Sequence, residues 1–253
     1  MTDNIPPKYR LGDRKAVYEE LPLTVRSIGD WAYSGCINLK EISLPAGCKV
    51  SSKAFAGCDK LERIMIRDKE GRQVCELPEL LAAAVRAWPE ESGRLLTEGS
   101  DRGLCEKTDE LLPAFITEPD DLGFQPFRAG GEEDYASEDE ERDTYISRRR
   151  ELKLRLCYER VLAVEKGFPD TNGGGKICED YIRNCSIPEN TGLALRYPDR
   201  KAVYAALYLE RGYYRPAPAD ELLDAAGDPE LRSLILKYAG NGSGPVSVDT
   251  LMI

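Results

Sequence analysis

The chain has 253 residues, 42% of them apolar and 32% charged, with a formal charge of −10 and no histidine. That length holds one large domain or two modest ones, and the missing imidazole excludes Ser-His-Asp and Cys-His nucleophile activation, His-Glu-x-x-His zinc sites and mixed Cys/His fingers. Residues 1–75 carry 13 Lys and Arg against 10 Asp and Glu, whereas the remainder carries 22 against 35. An acidic C-terminal two-thirds repels phosphate backbones and argues against nucleic acid as a partner. No run approaches the roughly 20 apolar residues of a membrane span.

The N-terminal MTDNIPPKYR has no apolar core of a secretory signal, so a cytoplasmic chain is expected. Beyond it a period of 22 emerges, with WAYSGCINLKEISL at 31–44 returning as KAFAGCDKLERIMI at 53–66. A fixed period in this range marks a solenoid, whose units bury their apolar faces only by stacking. Leu39, Ile42 and Leu44, then Leu61, Ile64 and Ile66, alternate as the inward residues of short strands. The residues between them, Glu41 and Ser43 on one strand and Arg63 and Met65 on the next, form an outward ladder with Tyr18 or Glu20 at its leading edge. This ladder is the candidate protein-binding surface, with Met65 as an adaptable apolar contact.

The pattern VRSIGDWAYSGCINLKEISLP resembles the BspA-type leucine-rich repeat, through Ile-Gly-x-x-Ala-aromatic-x-Gly-Cys-x-x-Leu-x-x-Ile-x-Leu-Pro. The resemblance spans about residues 16–68, as two full units and a degenerate leading one from Tyr18 to Leu21. The second unit is one residue shorter after its proline and lacks the Ile-Gly pair. The resemblance implies core packing for Cys36 and Cys58 and a role in binding proteins. In other proteins such repeats often act in adhesion, so a cell-surface role is the alternative to the cytoplasm.

Next, RDKEGRQVC reads as a hairpin closing on 68–71, and ELPELLAAAVRAWP as a helix with Pro78 in its first turn and Pro89 beyond its end. This helix would cap the strand edge. Residues 76–130 are thus a capping helix and an irregular connector, with one short helix at 109–116. Eight acids fall between 132 and 143 without the ligand spacing of a calcium loop, so 131–143 reads as a solvated linker. A helical domain follows over 144–240. Tyr145, Leu152, Leu156 and 161–164 mark its first helix, and Gly167 and Pro169 end it. Asp199 precedes a helix carrying Val203, Ala206 and Leu207, while Asp228-Pro229-Glu230 opens one carrying Leu231, Leu234, Ile235 and Tyr238. Residues 241–253 read as a flexible tail.

The last helices echo one another at an offset of 28: Val203/Leu231, Ala206/Leu234, Leu207/Ile235 and Gly212/Gly240 correspond. They resemble degenerate ankyrin-type helix pairs, although the period is short and the Thr-Pro-Leu-His signature is absent; an ordinary helical bundle with a chance offset is the alternative. The segment EPDDLGFQPFRAGGEEDY, followed by RRRELKLRLCYERVLAV, resembles bacterial proteins that join BspA-type repeats to a helical C-terminal part. That likeness implies an architecture and no activity. The fold expected is α+β: a short leucine-rich repeat solenoid, then an all-helical region.

Three local features invite chemistry. TNGGGKI at 171–177 lacks the first glycine and the Ser/Thr of a phosphate loop and has no strand leading into it, so it reads as a connection between helices. Arg148, Arg149 and Arg150 read as a solvated helix face answering the acids upstream. Cys178 and Cys185 lie two helical turns apart with no further ligand nearby, so packing accounts for them better than a soft metal. No catalytic, cofactor-binding or metal-binding residue is assigned, and no cofactor is expected. The function expected is non-catalytic protein binding. An enzyme using carboxylate or thiol chemistry, or a structural or immunity-type regulator, is the alternative.

None of the eight cysteines is paired at Cys-x-x-Cys spacing, and reduced, mostly buried thiols are expected. A thiol titration of freshly prepared protein, denatured without reductant, should approach eight; a value near zero would show a disulfide framework instead.

Overall fold

A computed structural model describes residues 3–97, 100–125, 138–214 and 219–240. Residues 131–137 of the expected acidic linker and the expected tail 241–253 lie outside the described residues. The chain forms two compact units, 1–122 with 159–175, and 123–158 with 176–253.

The first unit opens with six short strands: β1 (Asn4–Ile5), β2 (Tyr18–Glu20), β3 (Ser27–Ile28), β4 (Glu41–Pro45), β5 (Lys49–Val50) and β6 (Arg63–Arg67). They make two parallel sheets of order β1-β3-β5 and β2-β4-β6. Asn4 pairs with Ser27, and Ser27 with Lys49; Tyr18 pairs with Glu41, and Glu41 with Arg63. Each coil of chain therefore gives one strand to each sheet. Parallel neighbours cannot be joined by a tight turn, so the chain must travel a full coil before it returns. Leu39, Ile42, Leu61 and Ile64 are fully buried between the sheets, as their alternation requires.

The register extends the repeat further toward the N-terminus than the sequence shows. A complete first coil begins at Asn4, ahead of the leading unit expected at Tyr18. It superimposes Gly12 on Gly35 and Gly57, all at positive φ, and Lys8 on Trp31 and Lys53, whose φ values are 58°, 59° and 59°. At that second position the chain reverses after each short strand, in a conformation unusual for non-glycine residues. The Trp31 ring lies 5.1 Å from Lys53 Nζ, which stacks one such corner on the next.

The Gly-Cys pair of the repeat works in both directions along the stack. Gly12 N–H donates to Ser34 O at 2.7 Å and Gly35 N–H to Ala56 O at 2.8 Å, tying each corner to the coil after it. Cys36 Sγ donates to Arg10 O at 3.0 Å and Cys58 Sγ to Tyr33 O at 3.1 Å, tying it to the coil before. The thiol thus adds a bond between coils to a carbonyl that already accepts a backbone N–H, as well as filling space.

After the third coil the expected hairpin forms, with Arg67 bridged to Gln73 and Gly71 at φ 81°. Helix α1 (Pro78–Ala87) then packs against β6, and the Pro89 carbonyl accepts from Lys53 N–H at 3.0 Å. The expected irregular connector holds α2 (Ser92–Thr97) and a longer helix than the short one expected, α3 (Asp101–Thr117). Gly103 and Pro113 hide α3 in the sequence, whereas Ser100 caps it by accepting from Gly103 N–H at 3.0 Å. Its first residue, Asp101, also accepts from Glu76 and Leu77 N–H, which anchors the chain entering α1. Trp88 packs edge-on against Phe115, with centroids 5.4 Å apart.

Helix α4 (Glu138–Glu165) starts inside the segment expected as a linker. In the first unit its Arg160 and the Asp109 of α3 form a fully buried ion pair, with Nε to Oδ1 at 2.6 Å and Nη2 to Oδ2 at 2.7 Å. The same carboxylate accepts from Thr171 N–H at 2.9 Å and Thr171 Oγ1 at 2.8 Å. Arg160 also donates to Pro169 O. The loop 169–173 is therefore folded around a charge pair, and Gly174 is glycine because a Cβ there would overlap the Asp109 carboxylate.

The second unit is helical. It holds the N-terminal part of α4, most of α5 (Gly174–Asn184), and α6 (Ile187–Arg196), α7 (Lys201–Glu210), α8 (Ala219–Ala225) and α9 (Pro229–Gly240). Ser186 and Glu189 make a capping box for α6, and Asp228 accepts from Leu231 N–H at 2.9 Å to start α9. Helix α6 packs on α7 and α8, and α9 on α7 and α8. Between α7 and α9, Lys201 reaches Asp228 and Glu230, and Tyr238 OH donates to Glu210 at 2.9 Å. Tyr158, Tyr197, Tyr204, Tyr208 and Tyr213 fill the interior. Tyr158 OH donates to the buried Asn190, whose amide donates back to the carbonyls of Ile182, Cys185 and Ser186.

Leu61→Ala should cost about 2–5 kcal/mol of unfolding free energy, by lost transfer energy and the cavity left behind; a midpoint unchanged in urea would place the core elsewhere. Asp109→Ala should cost about 3–5 kcal/mol, because it strands the Arg160 charge in the interior. Thr171→Val, which removes one donor of four, should cost about 1 kcal/mol in the same assay.

Candidate functional site

The outer face of β2-β4-β6 carries the expected ladder. Its first row is Tyr18, Glu41 and Arg63, and its second Glu20, Ser43 and Met65, set side by side by the parallel register. Of the residues expected outward, Glu41, Arg63 and Met65 are half-buried and Ser43 is buried. Ser43 sits on the central strand between Glu20 and Met65, where longer neighbours close over it.

The charges on this face answer one another. Arg63 Nη1 lies 3.4 Å from Glu41 Oε2, and its Nε lies 3.7 Å from Glu79 Oε1 on α1. Arg63 Nη2 also contacts Met65 Sδ at 3.6 Å, so Met65 is held by its neighbour rather than swinging free. One row out, Arg67 pairs with Glu20 and donates to Leu21 O across the sheet. Such half-exposed pairs contribute little stability, but they fix the side chains and leave alternating charge on an ordered surface. Tyr18 stands apart at 69% exposure, at the head of the first row.

The remaining candidates resolve structurally. In TNGGGKI, Gly175 N–H donates to Asp170 Oδ1 at 2.8 Å and Thr171 N–H to Asp109, so carboxylates already hold the amides that a phosphate would need. All eight cysteines are free, seven of them buried and Cys185 half-exposed. Burial pushes the thiols of Cys48 and Cys105 up to about 11 and those of Cys58 and Cys75 up to about 12, the Asp101 carboxylate adding to the rise at Cys75. Cys157, packed against Cys178, is raised well above its ordinary value, again by burial first. These thiols stay protonated at neutral pH, where thiolate chemistry needs the reverse. Among the described residues no cluster of three or more Cys, Asp or Glu could hold a metal ion.

A groove of about 480 Å³ in the second unit runs between α4 and α6 over Leu154, Cys185 and Leu193. Its rim mixes Asp143, Glu151 and Glu189 with Arg150 and Arg196, and Arg196 is already paired with Glu151, so it carries no clear charge signature. Among the described residues no helix is long and apolar enough to cross a membrane.

Sequence reasoning missed the Arg10–Glu19 pair in the first coil and the Asp109–Arg160 pair. The first had a signal available, since both residues fall where the repeat places apolar ones; the second has none, as its partners lie 51 residues apart.

No curated protein and no solved structure matches the chain. A family model described as "BspA type Leucine rich repeat region (6 copies)" matches residues 14–72. The match covers β2 to β6, where the structure shows the strands recurring at 22 or 23 residues. Residues 14–72 therefore form a BspA type leucine-rich repeat region.

Proposed function

We propose that this chain is a non-catalytic protein-binding module, and that the outer face of β2-β4-β6 receives the partner through Tyr18, Glu41, Arg63 and Met65, with the covered Ser43 as its floor. Tyr18 is the observation that carries the reading. A large aromatic side chain, mostly exposed on an otherwise ordered and charge-alternating surface, has the character of an interface anchor. The repeat match supports the same class, since stacked repeats present extended surfaces to proteins. The coils form a short solenoid on this reading. The α6–α7 and α8–α9 pairs form a second, ankyrin-like stack, for which the α6–α8 and α7–α9 packing at the offset of 28 is the support.

The test uses a partner captured from lysate on the wild-type chain, then purified. Tyr18→Ala combined with Arg63→Gln should weaken its binding at least tenfold while leaving the melting temperature within a degree or two. Arg63→Gln is preferred to a charge reversal, which would set a third carboxylate against Glu41 and Glu79. Binding unchanged by the double variant would move the site off this face.

A further inference from the structure

We propose that the first coil is a built-in end plug, in which an inward-facing, half-buried charge pair closes the repeat stack to a second copy of this chain. The strand register places Glu19 opposite Ile42, itself opposite Ile64, at an inward position. The same register, read through the aligned glycines, places Arg10 at the position of Tyr33 and Phe55, and Asp13 at that of Cys36 and Cys58. The core pair of the second and third coils is aromatic on aliphatic. In the first coil it is guanidinium on carboxylate.

The geometry is that of a paired cluster in which Arg10 Nε alone is left without a partner. Arg10 Nη2 lies 3.2 Å from Glu19 Oε2, Arg10 Nη1 donates to Asp13 Oδ2 at 2.9 Å, and Tyr33 OH donates to Glu19 Oε1 at 3.4 Å. The Glu19 side chain is 14% exposed and that of Arg10 35%. Beneath it, Tyr33 is fully buried and stacked on Phe55 at 5.7 Å, with Tyr9 set edge-on against it at 6.1 Å. The aromatic column thus ends under charge.

The edge outside this cluster is otherwise a template. Glu41 N–H donates to Val17 O and Leu21 N–H to Ser43 O, so the alternation of a parallel ladder turns the N–H and C=O of Tyr18 and Glu20 toward the open side. Tyr9, Leu11 and Tyr18 are exposed on the same coil. A strand edge with open amides and exposed apolar side chains invites a second chain. Any chain that stacked there would lay its own inward residues over Glu19 and Arg10 and strip water from both. Inward-pointing charge is one way edge strands are kept single, and a terminal repeat with a polar outer face is what a repeat stack needs to stay soluble. At the other end no such device is present, because α1 covers β6 and Pro89 bonds to Lys53.

The experiment restores the repeat pattern with Arg10→Tyr and Glu19→Ile in the full chain and follows mass against concentration by sedimentation. Wild type should show no association through this edge. The double variant should associate, and adding Tyr18→Pro, whose missing N–H lies on the open side, should return it to the wild-type mass. A folded double variant that behaves as wild type over the same concentrations overturns the proposal. Amide exchange on the wild-type chain gives an independent reading that needs no variant to fold. Tyr18 and Glu20 amides should exchange at least tenfold faster than those of Glu19 and Leu21; equal protection would show the edge already occupied and overturn the proposal as well.

Discussion

Each strand of the first unit bonds to a strand 22 or 23 residues away, and that separation governs everything else in residues 3–75. A segment of this region cannot satisfy its own backbone, because its partners are always one coil distant. The residues that recur are those that make the return possible: a left-handed corner at Lys8, Trp31 and Lys53, a glycine at positive φ beyond it, and a small side chain that lets the next coil approach. Even Cys36 and Cys58 serve that spacing, each reaching back to a carbonyl of the coil before. Stability in such an array belongs to interfaces between coils rather than to any coil alone, which makes the two ends of the array decisive.

The helical segments that follow rely on another device. The Asp109 carboxylate gathers donors from Arg160 and Thr171, so α3, α4 and the loop 169–173 of the first unit share one fully buried site. A carboxylate so deeply placed is tolerable only because its lone pairs are filled. Gly174 belongs to the same solution, since any side chain there would compete for the carboxylate's space. The glycine run that invites a phosphate reading is therefore explained by a negative charge the protein already holds.

Much of this was legible in the residues. Leu39, Ile42 and Leu44 announced the strand and its inward face, the Gly-Cys pair announced the corner, and Asp228-Pro229 announced the start of α9. The helices that carry Val203 and Leu231, α7 and α9, pack on one another, as they would in either a repeat stack or an ordinary bundle. The first coil is hidden from the repeat pattern because Arg10, Asp13 and Glu19 occupy the positions by which the repeat is recognised, and it emerges only when Gly12 is aligned with Gly35 and Gly57. Gly103 and Pro113 weaken the helical pattern on either side of 109–112, and tertiary packing overrides both in α3. The outward ladder was placed correctly in register, but Ser43 is covered and Met65 is held by Arg63, because the reach of neighbouring long side chains is not written in strand alternation.

The two tryptophans occupy different layers of one unit. Trp31 lies at a coil corner under Lys53, and Trp88 follows α1 against Phe115, both within residues 1–122. The second unit has none, but it holds ten of the thirteen tyrosines. Indole emission is therefore blind to the second unit, and the tyrosine signal in the near ultraviolet comes mostly from it. The molecule carries its own pair of optical reporters, so whether the two units melt together or apart can be read from unlabelled protein by comparing the two signals.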